Sequence, residues 1–437
     1  MVHLARGMRD FLPPVMRRRR WVLEQVRAAF ERYGFEPLET PALERLDTLL
    51  GKCGDEGDRL LFQVLRRGEG AERGETDLGL RYDLTVPLAR VMAMNQDLPL
   101  PFRRYQLQPV WRADRPQRGR FREFLQCDVD AVGSTSPVAD AECLAVVHDS
   151  LCALGFSNFR IRLNHRQLLR AMAAHMGVPQ LEGGVLVALD KLDKIGREGV
   201  SGELLERGVP AEAAATLWRL LDLAPVEGDP EEGLAALGAA LGAPVTDAVE
   251  NLRQVLSCAS ELGVNPAILR FDPTLARGLD YYTGAVFETV VLEPAIGSIS
   301  GGGRYDGLVG MFSGKPLPAV GVSLGIERIL VVMEELGMLP ELGSGLDAAV
   351  FAMEEAQLPA AMRAAAALRA AGLAALLAPE PARFKKAMKA ADRLSVPWVL
   401  LVGPDEDAAG QVTLRQASTR AQEALSLEAA VARVKGA

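Results

Sequence analysis

The segment "ARGLDYYTGAVFE", residues 276–288, places charged and aromatic side chains among the apolar residues of a buried strand. Arg277, Asp280, Tyr281 and Tyr282 fall within six consecutive positions. An unpaired buried charge is too costly to retain, so Arg277 and Asp280 each require a partner or a ligand. The segment is therefore the first candidate for a binding site.

Several common catalytic motifs are absent from the sequence. It has no G-x-x-x-x-G-K-[ST] phosphate loop, no dinucleotide fingerprint and no G-x-S-x-G nucleophile elbow. The four histidines are scattered, and we expect no protein metal site. Chemistry must then depend on arginines that grip phosphate, on carboxylates and tyrosines, and on main chain exposed at Gly301–Gly303. This set suits the activation of an acyl or nucleotidyl group with ATP.

A short arginine-rich stretch adds a second candidate site. Between Arg103 and Glu123 the chain has seven arginines against two carboxylates, a local excess of five positive charges. Such charge would attract a polyphosphate or an RNA end, although a solvated charged loop is the alternative.

Bulk properties limit the protein class. The 437 residues suggest two or three domains, and the net charge of −8 argues against a globally basic nucleic-acid binder. No apolar run is long enough to span a bilayer, and the N-terminus lacks the apolar stretch of a signal peptide. The five cysteines form no C-x-x-C pair, which fits a reducing compartment. We therefore expect a cytoplasmic protein.

The elements that must position these residues follow from apolar periodicity. Residues 14–33 predict a helix that begins near Pro14 and has Arg17–Arg20 on its solvated face. Short strands are predicted around "FEPLETPALE" and "LGLRYDLTVPLARVMAM", and "FRRYQLQPVWRAD" and "GRFREFLQCDVDAVG" predict a hairpin. "AVGVSLGIERILVVMEELGML" predicts a strand that leads into a helix.

Four segments differ in character. Residues 1–170 and 263–339 contain the candidate site residues, and 171–262 are helical and poor in distinctive polar clusters. Residues 346–437 alternate strands with helices, which predicts a separate α/β domain.

These motifs together resemble the histidyl-tRNA synthetase family. "ARGLDYYTGAVFE" and "GGGRYDGL" resemble its two histidine signatures, and "GMRDFLPP" its N-terminal signature. Pro41 in "ETPALE", "VWRADRPQRGRFREFLQCDVD" and "GVSLGIERIL" resemble class II motifs 1, 2 and 3. "ARFKKAMKAADRLSVPWVLLVGPDE" resembles the anticodon-binding domain of the family. The resemblance implies an α+β catalytic core, whose antiparallel sheet is flanked by helices, with a helical insertion and a C-terminal α/β domain.

The resemblance also implies roles for individual residues. Asp83 would bind the α-ammonium of histidine, and Asp130 with a tyrosine would bind the imidazole. The residues implied to surround histidine are Asp83, Thr85, Gln126, Asp130, Tyr281, Tyr282 and Tyr305. Thr85 as a turn residue, Tyr305 as packing and Asp130 as a cap remain alternatives.

The implied ATP and tRNA contacts are mostly arginines. Arg112 would meet the α-phosphate, Arg328 the ATP tail and Phe124 the adenine, with Asp114 nearby and Mg²⁺ accompanying the nucleotide. Arg277 resembles the additional α-phosphate arginine of this family. The residues implied to contact tRNA are Arg115 and Gln117 at the acceptor end and Arg383, Lys385, Lys386 and Lys389 toward the anticodon stem. The last four could instead form only a solvated helix face.

Two positions depart from the family pattern, because Asp83 and Asp114 stand where glutamate is more common. Neither change removes the charge, but each shortens the side chain by one methylene. The implied reaction joins histidine to tRNA-His through histidyl-adenylate, in a homodimer. Two alternatives are the non-catalytic regulatory subunit of ATP phosphoribosyltransferase, which characteristically lacks the C-terminal domain, and a sensor of histidine or uncharged tRNA.

Overall fold

Sixteen strands form three sheets within the residues that this computed structural model describes, which are 2–52, 59–276, 281–294 and 296–436. In chain order the strands are β1 (Glu36–Pro37), β2 (Leu43–Arg45), β3 (Phe62–Leu65), β4 (Thr76–Leu80), β5 (Phe102–Trp111), β6 (Glu123–Val132), β7 (Phe159–His165), β8 (Leu269–Phe271), β9 (Ala285–Val291), β10 (Ser298–Arg304), β11 (Ala319–Gly325), β12 (Ala348–Ala352), β13 (Ala375–Leu377), β14 (Trp398–Val402), β15 (Gln411–Gln416) and β16 (Gln422–Ser426).

Helices connect these strands. Among the described helices, none combines the length and apolar character needed to cross a bilayer. The α-helices are α1 (Pro13–Arg32), α2 (Leu46–Leu49), α3 (Glu69–Glu72), α4 (Thr85–Met94), α5 (Pro137–Ala153), α6 (Arg166–His175), α7 (Glu182–Leu189), α8 (Leu192–Glu206), α9 (Ala211–Asp222), α10 (Pro230–Leu241), α11 (Thr246–Glu261), α12 (Gly310–Ser313), α13 (Ile326–Glu335), α14 (Leu358–Ala370), α15 (Phe384–Leu394), α16 (Pro404–Ala409) and α17 (Leu427–Lys435). Short 3₁₀ turns occur at Pro179–Leu181, Ala243–Val245, Pro266–Ile268 and Glu355–Gln357.

The largest sheet has eight strands in the order β1-β5-β6-β11-β10-β9-β7-β8. Its interior pairings are antiparallel, and the edge strands β1 and β8 pair in parallel with β5 and β7. Strands β5 and β6 confirm the predicted hairpin, and β11 followed by α13 confirms the predicted strand and helix. A hydrophobic core lies against this sheet and includes Val22, Val26 and Phe30 of α1.

Helix α1 confirms the helix predicted for residues 14–33 but corrects one part of that prediction. Arg19 is 5% exposed, and its guanidinium lies 2.6 Å from Glu327 Oε1. The solvated face predicted for the four arginines therefore does not include Arg19. The periodicity could not reveal this, because the partner lies more than 300 residues away in the sequence.

One predicted strand segment is wrong in its second half. "LGLRYDLTVPLARVMAM" forms strand β4 only as far as Leu80, and Thr85–Met94 is helix α4. The side chain of Asp83 accepts a hydrogen bond from the N–H of Val86 at 3.1 Å, which satisfies a donor of the first turn. This bond and the burial of the apolar residues of α4 outweigh the strand propensity of the valines.

The chain divides into two compact units. One contains residues up to Phe11 together with Arg19–Leu339, and the other contains Leu12–Arg18 together with residues from Pro340 onward. In the first unit, helices α6–α11 occupy most of residues 166–261. The second has a five-stranded sheet in the order β13-β12-β14-β15-β16, and the sequence pattern missed the exposed, polar strand β16. The three-stranded sheet β2-β4-β3 belongs to the first unit.

The last residue of β10, Arg304, forms a buried ion pair with Asp140. Arg304 Nε donates to Asp140 Oδ1 at 3.2 Å, and Arg304 Nη1 donates to the carbonyl oxygen of Ser134 at 2.8 Å. The side chains of Arg304 and Asp140 are only 7% and 0% exposed, respectively. Arg304 is thus a structural residue, whereas its neighbour Tyr305 faces the cavity described below.

We expect Asp140→Ala to lower the free energy of unfolding by about 3–5 kcal/mol, because the buried Arg304 charge loses its buried carboxylate and keeps only the more exposed Asp306, 3.3 Å from its Nη1. Urea denaturation would measure the loss. Asp222→Ala is the matched control, since Asp222 and Arg197 form an ion pair in which both side chains are 57% exposed. That change should cost no more than about 1 kcal/mol. Equal losses for the two variants would contradict the prediction.

Candidate active site

One face of strand β6 forms the floor of a cavity of about 320 Å³. Side chains alternate between the two faces of a strand. Gln126, Asp128 and Asp130 line the cavity, whereas Cys127 and Val129 are buried in the hydrophobic core. The strand therefore presents a row of polar groups from a firmly packed base.

Strand β11 makes room for one of these polar groups. It places Gly321 directly opposite Asp130 in the antiparallel pairing. A Cβ atom at position 321 would lie 1.9 Å from Asp130 Oδ1. Only glycine lets the carboxylate of Asp130 occupy this position.

Two buried side chains fix Asp130. Arg104 lies directly opposite it in the β5–β6 pairing, and Arg104 Nη2 lies 2.7 Å from Asp130 Oδ2. The hydroxyl of Tyr305 donates a hydrogen bond to Asp130 Oδ1. Burial raises the pKa of Asp130, while the Arg104 charge and the Tyr305 hydrogen bond counteract this rise. The result is a rigid acceptor at the inner end of the cavity.

Asp83 presents a second buried carboxylate beside the first turn of α4. Its Oδ1 accepts the Val86 N–H, and its Oδ2 is buried with no hydrogen-bond partner among the described residues. Burial raises the pKa of Asp83 to about 6, although Arg112 and Arg104 partly oppose the shift. An unsatisfied buried carboxylate oxygen on the cavity wall is an acceptor for a ligand.

Asp128 is a third buried carboxylate on this wall. Burial raises the pKa of Asp128 to about 7, and the negative charges of Asp130 and Asp83 act in the same direction against the opposing charge of Arg104. The negative charges of these aspartates thus raise the pKa values of Asp83 and Asp128. Arg104, which is fully buried, is the cation that opposes this effect. This end of the cavity has a deficit of positive charge, which suits a ligand that carries an ammonium group.

Tyrosines form the adjoining wall. The ring centroids of Tyr281 and Tyr282 are 4.9 Å apart, and those of Tyr281 and Tyr305 are 5.7 Å apart, both in edge-to-face arrangements. Burial also raises the pKa of the Tyr282 phenol, so it remains a neutral hydrogen-bonding group. Thr85 lines the same region.

The cavity lining also contains cationic and aromatic groups. Arg112 lies 5.1 Å from the centroid of the Phe124 ring, and its Nε donates to the carbonyl oxygen of Tyr82 at 2.9 Å. Arg328 also lines the cavity and is held by a hydrogen bond from its Nη1 to the carbonyl oxygen of Ser298. Two fixed guanidinium groups beside an aromatic ring suit a nucleotide triphosphate.

Known proteins match both parts of this chain. A model of the family "Histidyl-tRNA synthetase" matches residues 7–329, and a model of "Anticodon binding domain" matches residues 347–437. The histidine–tRNA ligase of Cytophaga hutchinsonii is 40% identical over 431 residues, which cover 94% of each chain. That of Aeropyrum pernix is 42% identical over 440 residues, which cover 98% of this chain and 97% of the relative. The chain belongs to the histidyl-tRNA synthetase family.

Solved histidyl-tRNA synthetases agree with this assignment. The crystal structure from Nostoc sp. PCC 7120 is 30% identical, covers 99% of each chain and has a TM-score of 0.83. A Staphylococcus aureus histidyl-tRNA synthetase, at 23% identity and a TM-score of 0.70, supports the fold alone. These similarities confirm the class II α+β core and the C-terminal α/β domain predicted from the sequence.

The cavity brings together most of the residues that the sequence analysis proposed for a histidyl-tRNA synthetase. Its lining includes the proposed histidine contacts Asp83, Thr85, Gln126, Asp130, Tyr281, Tyr282 and Tyr305, and the proposed ATP contacts Arg112, Asp114, Phe124 and Arg328. Arg115 and Gln117 are exposed in the loop between β5 and β6, outside the cavity lining. Arg277 lies outside the described residues. The individual roles of these residues stay predictions.

Sequence reasoning missed Asp128 in this site and misread two residues of the arginine-rich run, Arg103 and Arg104. Asp128 shares the cavity face of β6 with Gln126 and Asp130, so strand periodicity could have identified it. Arg104 was counted as part of a positive surface, but it is buried against Asp130, and Arg103 pairs with Glu142 at 2.6 Å. The exposed positive charge of the run is therefore smaller than its composition suggests.

Proposed function

We propose that this histidyl-tRNA synthetase activates L-histidine with ATP and then transfers the histidyl group to tRNA-His. In the first step a carboxylate oxygen of histidine attacks the α-phosphorus of ATP, the bond to the β-phosphate oxygen breaks, and pyrophosphate leaves. In the second step a ribose hydroxyl of the terminal adenosine of the tRNA attacks the histidyl carbonyl, and AMP leaves.

The composition of the cavity lining is the observation that carries this proposal. Three buried aspartates and three tyrosines share one cavity with Arg112 and Arg328. An amino acid whose ammonium and imidazole groups contact the aspartates would point its carboxylate toward a phosphate held by Arg112. Such orientation of two bound substrates removes much of the entropic barrier to their reaction.

The proposed histidine contacts follow from the hydrogen-bonding capacity of each group. Asp83 Oδ2 accepts from the α-ammonium, because this oxygen has no other hydrogen-bond partner among the described residues. Asp130 is held by Arg104 and Tyr305 and accepts from the imidazole N–H. Gln126 and Tyr282 supply further polar contacts, and a ligand with an apolar side chain would leave these groups unpaired.

The proposed ATP contacts use fixed charge. Arg112 stabilises the charge that develops on the α-phosphate, Arg328 binds the terminal phosphates, and Phe124 stacks on adenine. In the described residues no group of three or more His, Cys, Asp or Glu side chains could hold a metal ion. Mg²⁺ is proposed to accompany ATP as part of that substrate, and Arg277 is proposed to act with Arg112 at the α-phosphate.

Pyrophosphate exchange tests the activation step. Purified protein should incorporate labelled pyrophosphate into ATP when histidine is present and not when any other standard amino acid replaces it. The absence of exchange at saturating histidine would refute the proposed function. The alternative regulatory role requires a phosphoribosyltransferase partner, and the match of residues 347–437 to an anticodon-binding domain disfavours it.

The C-terminal domain is proposed to bind the anticodon arm of tRNA-His. Arg383, at the N-terminus of α15, and Lys385, Lys386 and Lys389 within it are all exposed. In the first unit, exposed Arg115 and Gln117 are proposed to contact the acceptor end. These assignments rest on exposure, charge and the domain match. The proposed domain boundaries lie at residues 170, 262, 339 and 346. We also propose a cytoplasmic homodimer.

We expect the triple variant Lys385→Gln, Lys386→Gln and Lys389→Gln to weaken tRNA-His binding and to reduce its dependence on salt. Each phosphate contact that is lost lowers the slope of log K against log salt by about 0.7–0.9. Filter binding between 50 and 200 mM salt would measure the slope. Pyrophosphate exchange should not change, because that reaction needs no tRNA. An unaltered slope would assign these lysines to a solvated helix face.

We expect histidine binding to release protons between about pH 5.5 and 7.5, so that affinity increases with pH. Asp83 and Asp128, with pKa values of about 6 and about 7, are partly protonated in this range. A bound ammonium favours their ionised forms, and the displaced protons pass to the buffer. Calorimetry in buffers of different ionisation enthalpy counts these protons.

Asp128→Asn isolates the contribution of the protein to this release. Free histidine titrates in the same way whether it is mixed with wild type or with Asp128→Asn. Any difference in the number of protons released therefore comes from the cavity. Asp128→Asn should release fewer protons near pH 7. Equal proton counts would exclude Asp128 from the coupling.

A further inference from the structure

The N-terminal segment Gly7–Phe11 contacts the loop that carries Arg112. The N–H of Arg122 donates to the carbonyl oxygen of Gly7 at 2.8 Å, and the carbonyl oxygen of Arg122 accepts the N–H of Arg112 at 2.8 Å. One residue of the loop is thus bonded to the N-terminal segment on one side and to the proposed phosphate-binding residue on the other.

Gly7 permits this close approach. Its φ angle is +85°, a conformation that other residues rarely adopt. An added Cβ atom would lie 2.8 Å from Arg122 Cγ and 2.9 Å from Pro116 Cγ. The segment therefore packs directly against Pro116 in the middle and Arg122 at the end of the loop between β5 and β6.

Arg9 adds two contacts to groups that line the cavity. Its guanidinium carbon lies 3.2 Å from the centroid of the Phe121 ring, and its Nη2 forms an ion pair with Glu327 Oε2. Phe121 and Glu327 line the cavity, whereas Arg9 does not. Arg9 can therefore affect a substrate only through these neighbours.

Glu327 joins the segment to the start of α13. Its Oε1 accepts from Arg19 Nη2 at 2.6 Å and from the N–H of Leu125 at 3.4 Å. Burial alone would raise the pKa of Glu327, but Arg19 and Arg9 hold it below its usual range. The next residue is Arg328, so this ionised carboxylate fixes the helix end that carries the second proposed ATP contact.

We propose that residues 7–11 form a brace that holds the β5–β6 loop and the start of α13 in the geometry that binds ATP, with Arg9 as a positioning residue. This inference rests on the proposed function, because it assigns Arg112 and Arg328 to ATP binding. The brace contacts Arg122, Phe121 and Glu327, and within the described part of the chain none of its hydrogen bonds or ion pairs involves Asp83, Asp128 or Asp130. Its loss should therefore affect ATP and spare histidine.

Arg9→Ala tests the brace, with direct ATP binding measured by calorimetry. We expect the Kd for ATP and the KM for ATP in exchange to increase about tenfold, while the Kd for histidine changes less than twofold. Arg9→Lys retains the charge opposite Glu327 but loses the planar stack on Phe121, so it should recover part of the affinity for ATP.

Arg103→Ala is the matched control. Arg103 has the same side-chain exposure as Arg9, 31%, and pairs with a carboxylate, Glu142, that is 16% exposed. We expect its affinity for ATP to equal that of wild type. A purely structural role for Arg9 would instead weaken histidine and ATP binding together and lower the melting temperature.

Each outcome decides the proposal. An unchanged Kd for ATP in Arg9→Ala, or parallel losses of ATP and histidine affinity, would overturn the brace. If Arg9→Ala does not fold, Arg9→Lys decides, because wild-type affinity for ATP in that variant would overturn the role of the Phe121 stack. Failure of wild-type exchange would refute the proposed function separately, since calorimetry with ATP requires no turnover.

Discussion

Arg112→Ala should lower the rate of histidine-dependent pyrophosphate exchange by about 10²–10³-fold, which is the usual cost of removing one preorganised donor from a developing charge. The protein itself orients Arg112, through its bond to the Tyr82 carbonyl and its contact with the Phe124 ring. The negative charge that develops on the α-phosphate in the transition state is therefore stabilised without the entropy cost of ordering the Arg112 side chain. Loss of the guanidinium removes this stabilisation from the transition state more than from bound histidine.

Rapid-quench measurement of adenylate formation would separate this effect from product release. The Kd for histidine should change much less than the exchange rate, because Arg112 affects Asp83 through its charge but is proposed to contact ATP and not histidine. Arg118→Ala is a suitable control, since Arg118 belongs to the same loop but is exposed and does not line the cavity. A large loss of histidine affinity in Arg112→Ala would contradict the role given to Arg112.

Asp83→Asn should weaken histidine binding by about 10²-fold or more. Removing one partner of a buried charge-assisted hydrogen bond costs about 2–5 kcal/mol. The substitution keeps the shape of the side chain, and its amide oxygen can still accept the Val86 N–H that begins α4. The other oxygen is replaced by an NH₂ group, which presents donors to an ammonium that has no acceptor to offer.

A second ligand makes this test specific. Imidazolepropionate lacks the α-ammonium, so its weaker binding should change little between wild type and Asp83→Asn. Asp77→Asn is the control substitution, because Asp77 lies on β4 close in sequence but is 49% exposed and pairs with Arg66. Equal losses for histidine and imidazolepropionate would indicate that Asp83 supports the fold of the cavity and does not bind the ammonium.

The sequence allowed prediction of the elements whose signals are local. The β5–β6 hairpin, helix α1 and the step from β11 to α13 follow from periodicity and turn residues. Helix α4 could not be predicted in this way, because its valines favour a strand and its first turn is stabilised by the Asp83 side chain. Local propensity is a weak guide where one capping bond and tertiary burial outweigh it.

The candidate site shows the same limit at the level of single residues. Motif resemblance proposed Asp130 as a ligand-binding residue, but only the register of two paired strands reveals that Arg104 faces it. A charge that composition assigns to a surface becomes a buried counter-ion once that register is known. The partnership of Arg19 with Glu327 was hidden for a related reason, since more than 300 residues separate them in the chain.

The pairing of Gly321 with Asp130 constrains any attempt to redirect this enzyme toward another amino acid. A smaller residue at 130 would leave an empty space beside the bare main chain at 321, whereas a side chain added at 321 alone would collide with the carboxylate. The two positions are thus coupled, and their effects should not add. Libraries that vary both together sample amino-acid specificities that neither single-site library contains.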